Sequence, residues 1–149
     1  MYILDPPRIS PARCQELAAL ADQLTERQPR GTSPYQSTVG KPTMALYRPL
    51  LLDIFPGAWH DAALFILYPN SMVHFHTDGA ESYPRRHLIL QTNPLCWSFH
   101  DGVWQQVELG CTYHMDPSKV HGAVNSGDVV RIHLYLDLTS DLQLCRSHA

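Results

Sequence analysis

The chain has 149 residues, a formal net charge of −3, and eleven lysines and arginines that are spread along its length. This length suits one domain with one core, and the lack of a positively charged cluster argues against nucleic acid as a partner. The first residues lack the basic and apolar regions of a signal peptide, and no segment approaches the roughly twenty apolar residues of a membrane span, so we expect a soluble cytoplasmic protein.

The N-terminal part of the sequence predicts a helix followed by a loop. Ser10 suits the N-cap and Pro11 the first helical position, so a helix is expected over residues 11–26. Its apolar residues recur at helical spacing and should pack against a core: Leu17, Leu20, Ala21 and Leu24. Residues 28–41 are rich in Pro, Gly, Ser and Thr and predict a long loop, in which Tyr35 is one of the side chains available to a ligand.

The rest of the chain predicts short strands separated by turns. Residues 44–59 are ambiguous and include the end of a short helix before Pro56-Gly57. Strands are expected where apolar runs or alternating residues are bounded by turn signals: 62–68, a following strand with His74, His76 and Asp78 on one face, 86–91, 95–99, 103–109, 111–115 and 129–138. Asp101-Gly102 should form the tight turn of the hairpin between residues 95–99 and 103–109.

About eight short strands, frequent turns and one flanking N-terminal helix predict a mainly β fold, a double-sheet jelly roll of the cupin-like type. We expect one domain, with a helical and loop segment over about residues 1–60, a jelly-roll core over about 61–138 and a short tail over 139–149. In the last strand, apolar residues should face the helix and polar residues a cavity: Val130, Ile132, Leu134 and Leu136 against Arg131, His133, Tyr135 and Asp137. For Trp97 and Trp104 we expect packing in the core.

Two histidines and an aspartate have the spacing of a metal site. His76 and Asp78 are two residues apart, so on an extended strand they point to the same face, and a later strand could bring His121 beside them. Two neutral imidazoles and one carboxylate on one side of a metal leave the opposite positions open for water, dioxygen or a chelating cosubstrate. Because the chain has nine histidines, the spacing by itself also fits polar strand residues near a turn.

The placement of two arginines supports the metal site. Arg131 follows His121 in the next strand, and Arg85 and His87 follow the first histidine in the same way. A dicarboxylate cosubstrate that chelates iron needs its far carboxylate held, and a guanidinium group does this well because it binds both oxygens at once. A metal site and a carboxylate anchor are therefore predicted together.

These residues resemble the aspartyl/asparaginyl β-hydroxylases, a family of Fe(II)- and 2-oxoglutarate-dependent dioxygenases. The resemblance covers roughly residues 65–137 and is carried by five segments: His76-Thr77-Asp78-Gly79, Arg85-Arg86-His87-Leu88, 116–121, Asn125 and 131–137. It implies that His76 and His121 bind the iron and that Asp78 occupies the carboxylate position, which some family members leave empty. We also expect Asp116 or a backbone carbonyl to orient one of the two imidazoles through its other nitrogen.

The resemblance further implies a double-stranded β-helix fold, an activity and a cosubstrate site. Arg85 and His87 fall where the family contacts 2-oxoglutarate, and Arg131 falls where it holds the distal carboxylate. The implied activity is dioxygen-dependent hydroxylation of an amino-acid or peptidyl side chain, with release of succinate and carbon dioxide. The implied partners are thus dioxygen and a small-molecule or peptidyl substrate.

A cupin is the first alternative interpretation. His74-x-His76 followed by Glu81, with His121 downstream, resembles the metal-binding motifs of cupins, which are also jelly rolls. In that case the metal ligands are His74, His76, Glu81 and His121. This interpretation leaves the two arginines without a role.

A metal-free jelly roll that binds a small ligand is the second alternative. In such a protein the histidines only contribute polarity to the cavity wall. A carbohydrate ligand would use Trp97 or Trp104 as a stacking surface. The absence of metal from the purified protein would favour this interpretation.

Overall fold

Two antiparallel β-sheets pack face to face around the centre of the molecule. The computed structural model describes residues 3–5, 8–25, 33–39, 41–55, 59–79 and 85–138 of the chain. Within these residues the strands are β1 (Ile3–Asp5), β2 (Tyr35–Val39), β3 (Trp59–Leu67), β4 (Ser71–His76), β5 (Arg85–Gln91), β6 (Cys96–His100), β7 (Val103–Gln105), β8 (Thr112–Met115), β9 (His121–Asn125) and β10 (Arg131–Leu138). The helices are α1 (Pro11–Ala19), α2 (Ala21–Thr25) and α3 (Lys41–Leu51).

The order of the strands defines a jelly roll. The larger sheet has the order β1-β8-β5-β10-β3-β2, and the smaller sheet has the order β4-β9-β6-β7. From β3 to β10 the chain passes repeatedly from one sheet to the other, which is the arrangement of a double-stranded β-helix. The predicted mainly β jelly roll with a flanking N-terminal helix is confirmed.

The helices pack on the larger sheet, as the alternation of β10 predicts. One buried core joins side chains of the helices and of the sheet: Leu17, Ala21, Leu24, Tyr47, Leu51, Leu64, Leu88, Leu90, Ile132, Leu134 and Leu136. The helix predicted over residues 11–26 is divided into α1 and α2 at Leu20, and its N-cap is confirmed because Ser10 Oγ accepts from the main-chain N–H of Arg13 at 3.1 Å. Among the described residues, no helix has the length and apolar character needed to cross a membrane.

The predicted loop at residues 28–41 contains a strand. Tyr35 to Val39 form β2, which pairs along the free edge of β3 in antiparallel register. The prediction of an uninterrupted loop is therefore wrong here, because an exposed strand edge offers main-chain partners that composition does not reveal. Together with β1, this strand shows that the first sixty residues contribute to the larger sheet as well as covering it.

The hairpin between β6 and β7 forms as predicted. Asp101 and Gly102 connect the two strands, with φ angles of 47° and 86°. Positive φ at both central positions is the signature of a type I′ turn, whose twist matches that of the paired strands. Asp-Gly satisfies this requirement at low cost, since glycine adopts positive φ freely.

The two tryptophans of this hairpin do not lie in the core. Trp97 is 39% exposed and Trp104 is 45% exposed, so the prediction of core packing is wrong. The ring of Trp104 packs against Phe75 and Phe99, with centroids 5.8 Å and 5.2 Å away. These rings belong to the outer face of the smaller sheet, and their aromatic contacts form there rather than in the interior.

Candidate active site

One cavity between the two sheets is lined by the side chains for which the family resemblance implies a role in metal or cosubstrate binding. Six predicted residues line it: His76, Asp78, Arg85, His87, His121 and Arg131. The topology explains the convergence, because β4 and β9 are neighbours in the smaller sheet while β5 and β10 are neighbours in the larger one. Residues far apart in sequence therefore meet on the facing surfaces of the two sheets.

Three of these side chains form a compact group of metal-ligand type. His76 ends β4, Asp78 follows it, and His121 begins β9 directly opposite His76 in the strand pairing. The atoms that could bind a metal all lie within 4.8 Å of one another. Asp78 is central, since its Oδ1 lies 3.4 Å from His76 Nε2 and its Oδ2 lies 3.5 Å from His121 Nε2. This donor set suits a non-haem Fe(II) ion with open coordination positions.

A β-bulge in β4 decides which of its residues reach the cavity. Val73 pairs with Ala123 and His76 pairs with His121, so three steps along β4 match two steps along β9. Val73 and His76 therefore both line the cavity, whereas His74 is exposed and lies outside it. The prediction that His74 shares a face with His76 is wrong, because the extra residue shifts the alternation of the strand.

Main-chain carbonyl groups orient both histidines. The Nδ1 of His76 lies 2.7 Å from the carbonyl oxygen of His74, and the Nδ1 of His121 lies 2.8 Å from that of Lys119. Because a carbonyl oxygen only accepts, each Nδ1 carries the hydrogen and donates it, and each Nε2 keeps a lone pair directed at the carboxylate between them. Burial lowers the pKa of His121, which favours the neutral imidazole that binds metals.

Arg131 is a buried cation in the wall of the same cavity. Its side chain crosses from β10 to the smaller sheet, where Nη1 donates to Ser98 Oγ at 3.2 Å. Nη2 donates to His133 Nδ1 at 3.3 Å, and Nε has no hydrogen-bond partner in the part of the chain that the structure describes. Within the described residues no carboxylate forms an ion pair with Arg131, although the residue is only 2% exposed. A buried guanidinium group without a counter-ion is costly, so this cavity suits an anionic ligand.

His87 of β5 supplies a neutral polar group to the cavity. Its ring stacks on that of Tyr135, with centroids 3.9 Å apart, and Tyr135 stacks in turn on Phe65 at 5.6 Å. Burial, reinforced by the charges of Arg85 and Arg131, lowers the pKa of His87 well below its usual value. The imidazole is therefore neutral near pH 7 and can donate one hydrogen bond without adding charge to the site.

Arg85 is surrounded by carboxylates. Its Nε lies 2.9 Å from Asp137 Oδ1 and its Nη2 lies 3.4 Å from Asp137 Oδ2, which is a two-point contact. The remaining nitrogen, Nη1, donates to Asp78 Oδ2 at 2.5 Å. The guanidinium group also lies 5.6 Å from the ring centroid of Tyr135. The structure thus places Arg85 in the cavity wall, in contact with two protein carboxylates.

Other residues of the site carry no sequence signal or a weak one. No sequence pattern indicates a role for Ser98, because its contact with Arg131 depends on how the two sheets face each other. His133 was visible through the alternation of β10 and is now seen to accept from Arg131, which leaves its Nε2 as a buried donor without a partner among the described residues. Tyr35 of β2 stacks on Phe65 at 5.1 Å and lines the cavity, as its predicted availability to a ligand suggests.

The described residues that only the two alternative interpretations require lie outside the cavity. His74, a ligand in the cupin interpretation, is exposed, and Glu81 lies outside the described residues. The group of metal-ligand type found among the described residues includes Asp78 instead. Neither of the two tryptophans required by a carbohydrate site lines the cavity.

Fold and site together define a double-stranded β-helix protein that has a His–Asp–His group and a buried arginine in one cavity. A family model described as Aspartyl/Asparaginyl beta-hydroxylase matches residues 37–141. The chain therefore belongs to the aspartyl/asparaginyl β-hydroxylase family, as its motifs predict. A sequence comparison with curated proteins finds no match.

Several solved structures share the fold over most of the chain. SnoK, a non-heme alpha ketoglutarate dependent carbocyclase from nogalamycin biosynthesis, is 15% identical, with a TM-score of 0.65 over 97% of this chain and 85% of that chain. A prolyl-4-hydroxylase of Pseudomonas putida is 15% identical, with a TM-score of 0.61 over 93% of each chain. HygX of Streptomyces hygroscopicus, with nickel and 2-oxoglutarate bound, is 10% identical, with a TM-score of 0.67 over 91% of this chain and 80% of that chain. Identities this low establish the common fold.

Proposed function

We propose that the protein is an Fe(II)- and 2-oxoglutarate-dependent dioxygenase that hydroxylates an amino-acid or peptidyl side chain and releases succinate and carbon dioxide. His76, Asp78 and His121 hold the metal, and Arg131 binds the distal carboxylate of the cosubstrate. One observation carries the proposal: the buried Arg131 has no carboxylate partner among the described residues and lines the same cavity as the His–Asp–His group.

A dicarboxylate with a chelating group at one end would interact with both the metal-ligand group and Arg131. The metal-ligand group requires a ligand that offers oxygen atoms to open coordination positions, and Arg131 requires a negative charge. 2-Oxoglutarate has a keto-acid group at one end and a carboxylate at the other. Its carboxylate would also supply an acceptor for Arg131 Nε, which lacks one among the described residues.

Neighbouring side chains support the binding and the chemistry. Neutral His87 is suited to donate a hydrogen bond to the cosubstrate, and Ser98 holds one nitrogen of Arg131 so that the guanidinium group keeps its orientation. The stacked rings of Phe65 and Tyr135 form an apolar wall that limits access of water. When bound, the metal supplies the activation of dioxygen that is coupled to oxidative decarboxylation of 2-oxoglutarate.

Similarity to known proteins supports the cofactors and the class of substrate. The family description names aspartyl and asparaginyl residues, and the Pseudomonas putida structure is that of a prolyl-4-hydroxylase. HygX has nickel and 2-oxoglutarate bound on the same fold, which supports a divalent metal and this cosubstrate for the present chain. An amino-acid or peptidyl side chain is accordingly the substrate class that we propose.

Anaerobic titration with 2-oxoglutarate tests the proposal. The apoprotein is loaded with Fe(II), and the weak visible charge-transfer band of a chelated 2-oxo acid is followed as 2-oxoglutarate is added. In Arg131→Gln we expect the apparent affinity for 2-oxoglutarate to fall by about tenfold or more, because a charge-assisted contact to a carboxylate is lost. The metal affinity should stay close to that of the parent protein.

Arg86→Gln provides a matched control. Arg86 is also 2% exposed, but its side chain contacts His114 and does not line the cavity. This variant should keep the parental affinity for 2-oxoglutarate, which separates loss of the anion contact from loss of a buried arginine. Metal binding without a charge-transfer band at any 2-oxoglutarate concentration would contradict the proposal and favour a cupin-like protein.

A further inference from the structure

The surroundings of Arg85 point to a role different from the one that family resemblance implies. We propose that Arg85, fixed by Asp137, is a positioning residue that holds the carboxylate of Asp78 for the metal and does not contact 2-oxoglutarate. This inference rests on the proposed function, since it assumes that Asp78 is a metal ligand. It concerns a three-membered chain of side chains, Asp137 to Arg85 to Asp78.

The geometry gives each guanidinium nitrogen a protein partner. The carboxylate of Asp137 accepts hydrogen bonds from Nε and Nη2, so two contacts on one side fix the plane of the guanidinium group. Nη1 then points at Asp78 Oδ2. Three of the five N–H groups of Arg85 thus point at protein carboxylates, and a cosubstrate carboxylate could take the two-point contact at Nε and Nη2 only by displacing Asp137.

The position of Asp78 explains why such support is needed. It lies after the last residue of β4, and its main-chain N–H donates to the carbonyl of Pro117 at 2.9 Å. The following Gly79 has a φ angle of 86°, so the chain turns away from the strand direction at this point. The Asp78 side chain is 28% exposed, and a hydrogen bond to a fixed guanidinium group restricts its rotation.

The charges are also consistent with a positioning role. A lone arginine beside a dication would repel it, but Asp137 neutralises Arg85 across a two-point contact. The exposed fractions of the Arg85, Asp78 and Asp137 side chains are 17%, 28% and 21%, so water screens these contacts only in part. The three groups together carry one negative charge, which favours a cation at the Asp78 end.

Two variants separate orientation from charge. Arg85→Lys keeps the positive charge but has a single nitrogen, so it cannot bind Asp137 at two points and reach Asp78 as well. The double variant Arg85→Gln/Asp137→Asn removes the chain of contacts while leaving the net charge unchanged. Asp61→Asn is the control, because Asp61 lies opposite Asp137 in the pairing of β3 with β10 and forms no ion pair with Arg85 among the described residues.

The primary measurement is the affinity of the apoprotein for Co(II) alone. It is determined from the visible absorption of bound Co(II) and by calorimetry. We expect Arg85→Lys and the double variant to bind Co(II) about ten- to hundredfold more weakly, the range typical for loss of a group that orients a metal ligand. Asp61→Asn should bind Co(II) like the parent. Thermal melting of each apoprotein shows whether a variant is folded, and a variant that does not fold is replaced by Asp137→Asn alone.

The affinity for 2-oxoglutarate at saturating Co(II) distinguishes the two roles. We expect it to change less than about threefold in Arg85→Lys, because the anchor on Arg131 is intact. Parental Co(II) affinity combined with a large loss of 2-oxoglutarate affinity would overturn the inference and restore Arg85 as a cosubstrate contact. Parental affinities for both Co(II) and 2-oxoglutarate in Arg85→Lys and in the double variant would also overturn the inference. The proposed function would stand in that case. Failure of the parent protein to bind Co(II) would instead remove the proposed function itself.

Discussion

Two arginines in one cavity have opposite environments. Arg131 is almost completely buried, donates to two neutral groups and keeps one nitrogen without a partner among the described residues. Arg85 lies in the same wall with every nitrogen on a carboxylate. Residue type and location are the same for both. The difference in their partners indicates that Arg131 is available to a ligand, whereas Arg85 is already engaged by the protein.

Loss of one of the two histidines proposed to bind the metal should have the largest effect, because both arginine roles depend on the metal. His76→Ala or His121→Ala should abolish 2-oxoglutarate-dependent formation of succinate and weaken Co(II) binding severely, since each removes a donor atom from a three-residue group. Succinate formation measured in the presence of candidate amino-acid or peptide substrates tests this prediction.

His74→Ala is the matched control for this experiment. His74 is exposed, and only its main-chain carbonyl contributes to the site, so the substitution leaves the hydrogen bond to His76 Nδ1 intact. It should therefore keep succinate formation. Turnover retained in both His76→Ala and His121→Ala would refute the metal assignment.

Replacement of the two arginines should change stability in opposite directions. Arg131→Met removes a buried charge that has no counter-ion among the described residues, so the apoprotein should gain about 1–4 kcal/mol of unfolding free energy. Arg85→Met leaves two carboxylates without their partner, and because these groups are partly exposed the loss should be about 1–2 kcal/mol. Urea unfolding of the metal-free proteins measures both values. A loss of stability in Arg131→Met as large as that in Arg85→Met would show that the two arginines do not differ in their contribution to stability.

The histidines near Arg131 should produce a smaller, pH-dependent effect. Burial, followed by the nearby arginine charge, lowers the pKa of both His87 and His133 well below the usual value. The folded state therefore excludes protons that the unfolded chain binds, so stability is complete above about pH 6.5 and is lost as the pH falls below it. Each histidine should cost about 1 kcal/mol per pH unit in that range.

Urea unfolding of the apoprotein at pH 7.5 and 5.5 measures this dependence. His133→Gln is the informative comparison, because it removes one of the histidines whose pKa the fold lowers and should reduce the difference in unfolding free energy between the two pH values by about 1 kcal/mol. The same difference in the parent and in His133→Gln would show that His133 is not held neutral by its environment. The prediction concerns the metal-free protein, so metal dissociation does not enter.

The composition of the site was predictable because its residues follow simple alternation. In β10, residues two apart share a face, so its four polar residues could be placed together from sequence alone; Arg131 and Tyr135 line the cavity, and His133 and Asp137 contact its two arginines. The His–Asp–His group followed from the spacing of His76 and Asp78 together with the resemblance of the surrounding motifs. In each case a local sequence pattern was sufficient to predict which side chains lie near one another.

What the sequence did not reveal depends on contacts between strands. The bulge that keeps His74 out of the cavity arises from the pairing of β4 with β9. No local sequence pattern predicts that one strand of a pair contains an extra residue. The environment of Arg85 depends on Asp137, which is distant in sequence, and on where the chain turns after β4. Trp97 and Trp104 are exposed, against the prediction, because side-chain size predicts burial on average, whereas sheet geometry decides which face is covered.

The hydrogen bonds that orient the two imidazoles are local to their own chain segments. In each case the ring nitrogen donates to the carbonyl two residues earlier, from His76 to His74 and from His121 to Lys119. The acceptor is part of the backbone, so any amino acid at positions 74 and 119 can provide it. The orientation of the two proposed metal ligands thus does not depend on the side chains at positions 74 and 119, and relatives could differ there while keeping the same arrangement of donor atoms.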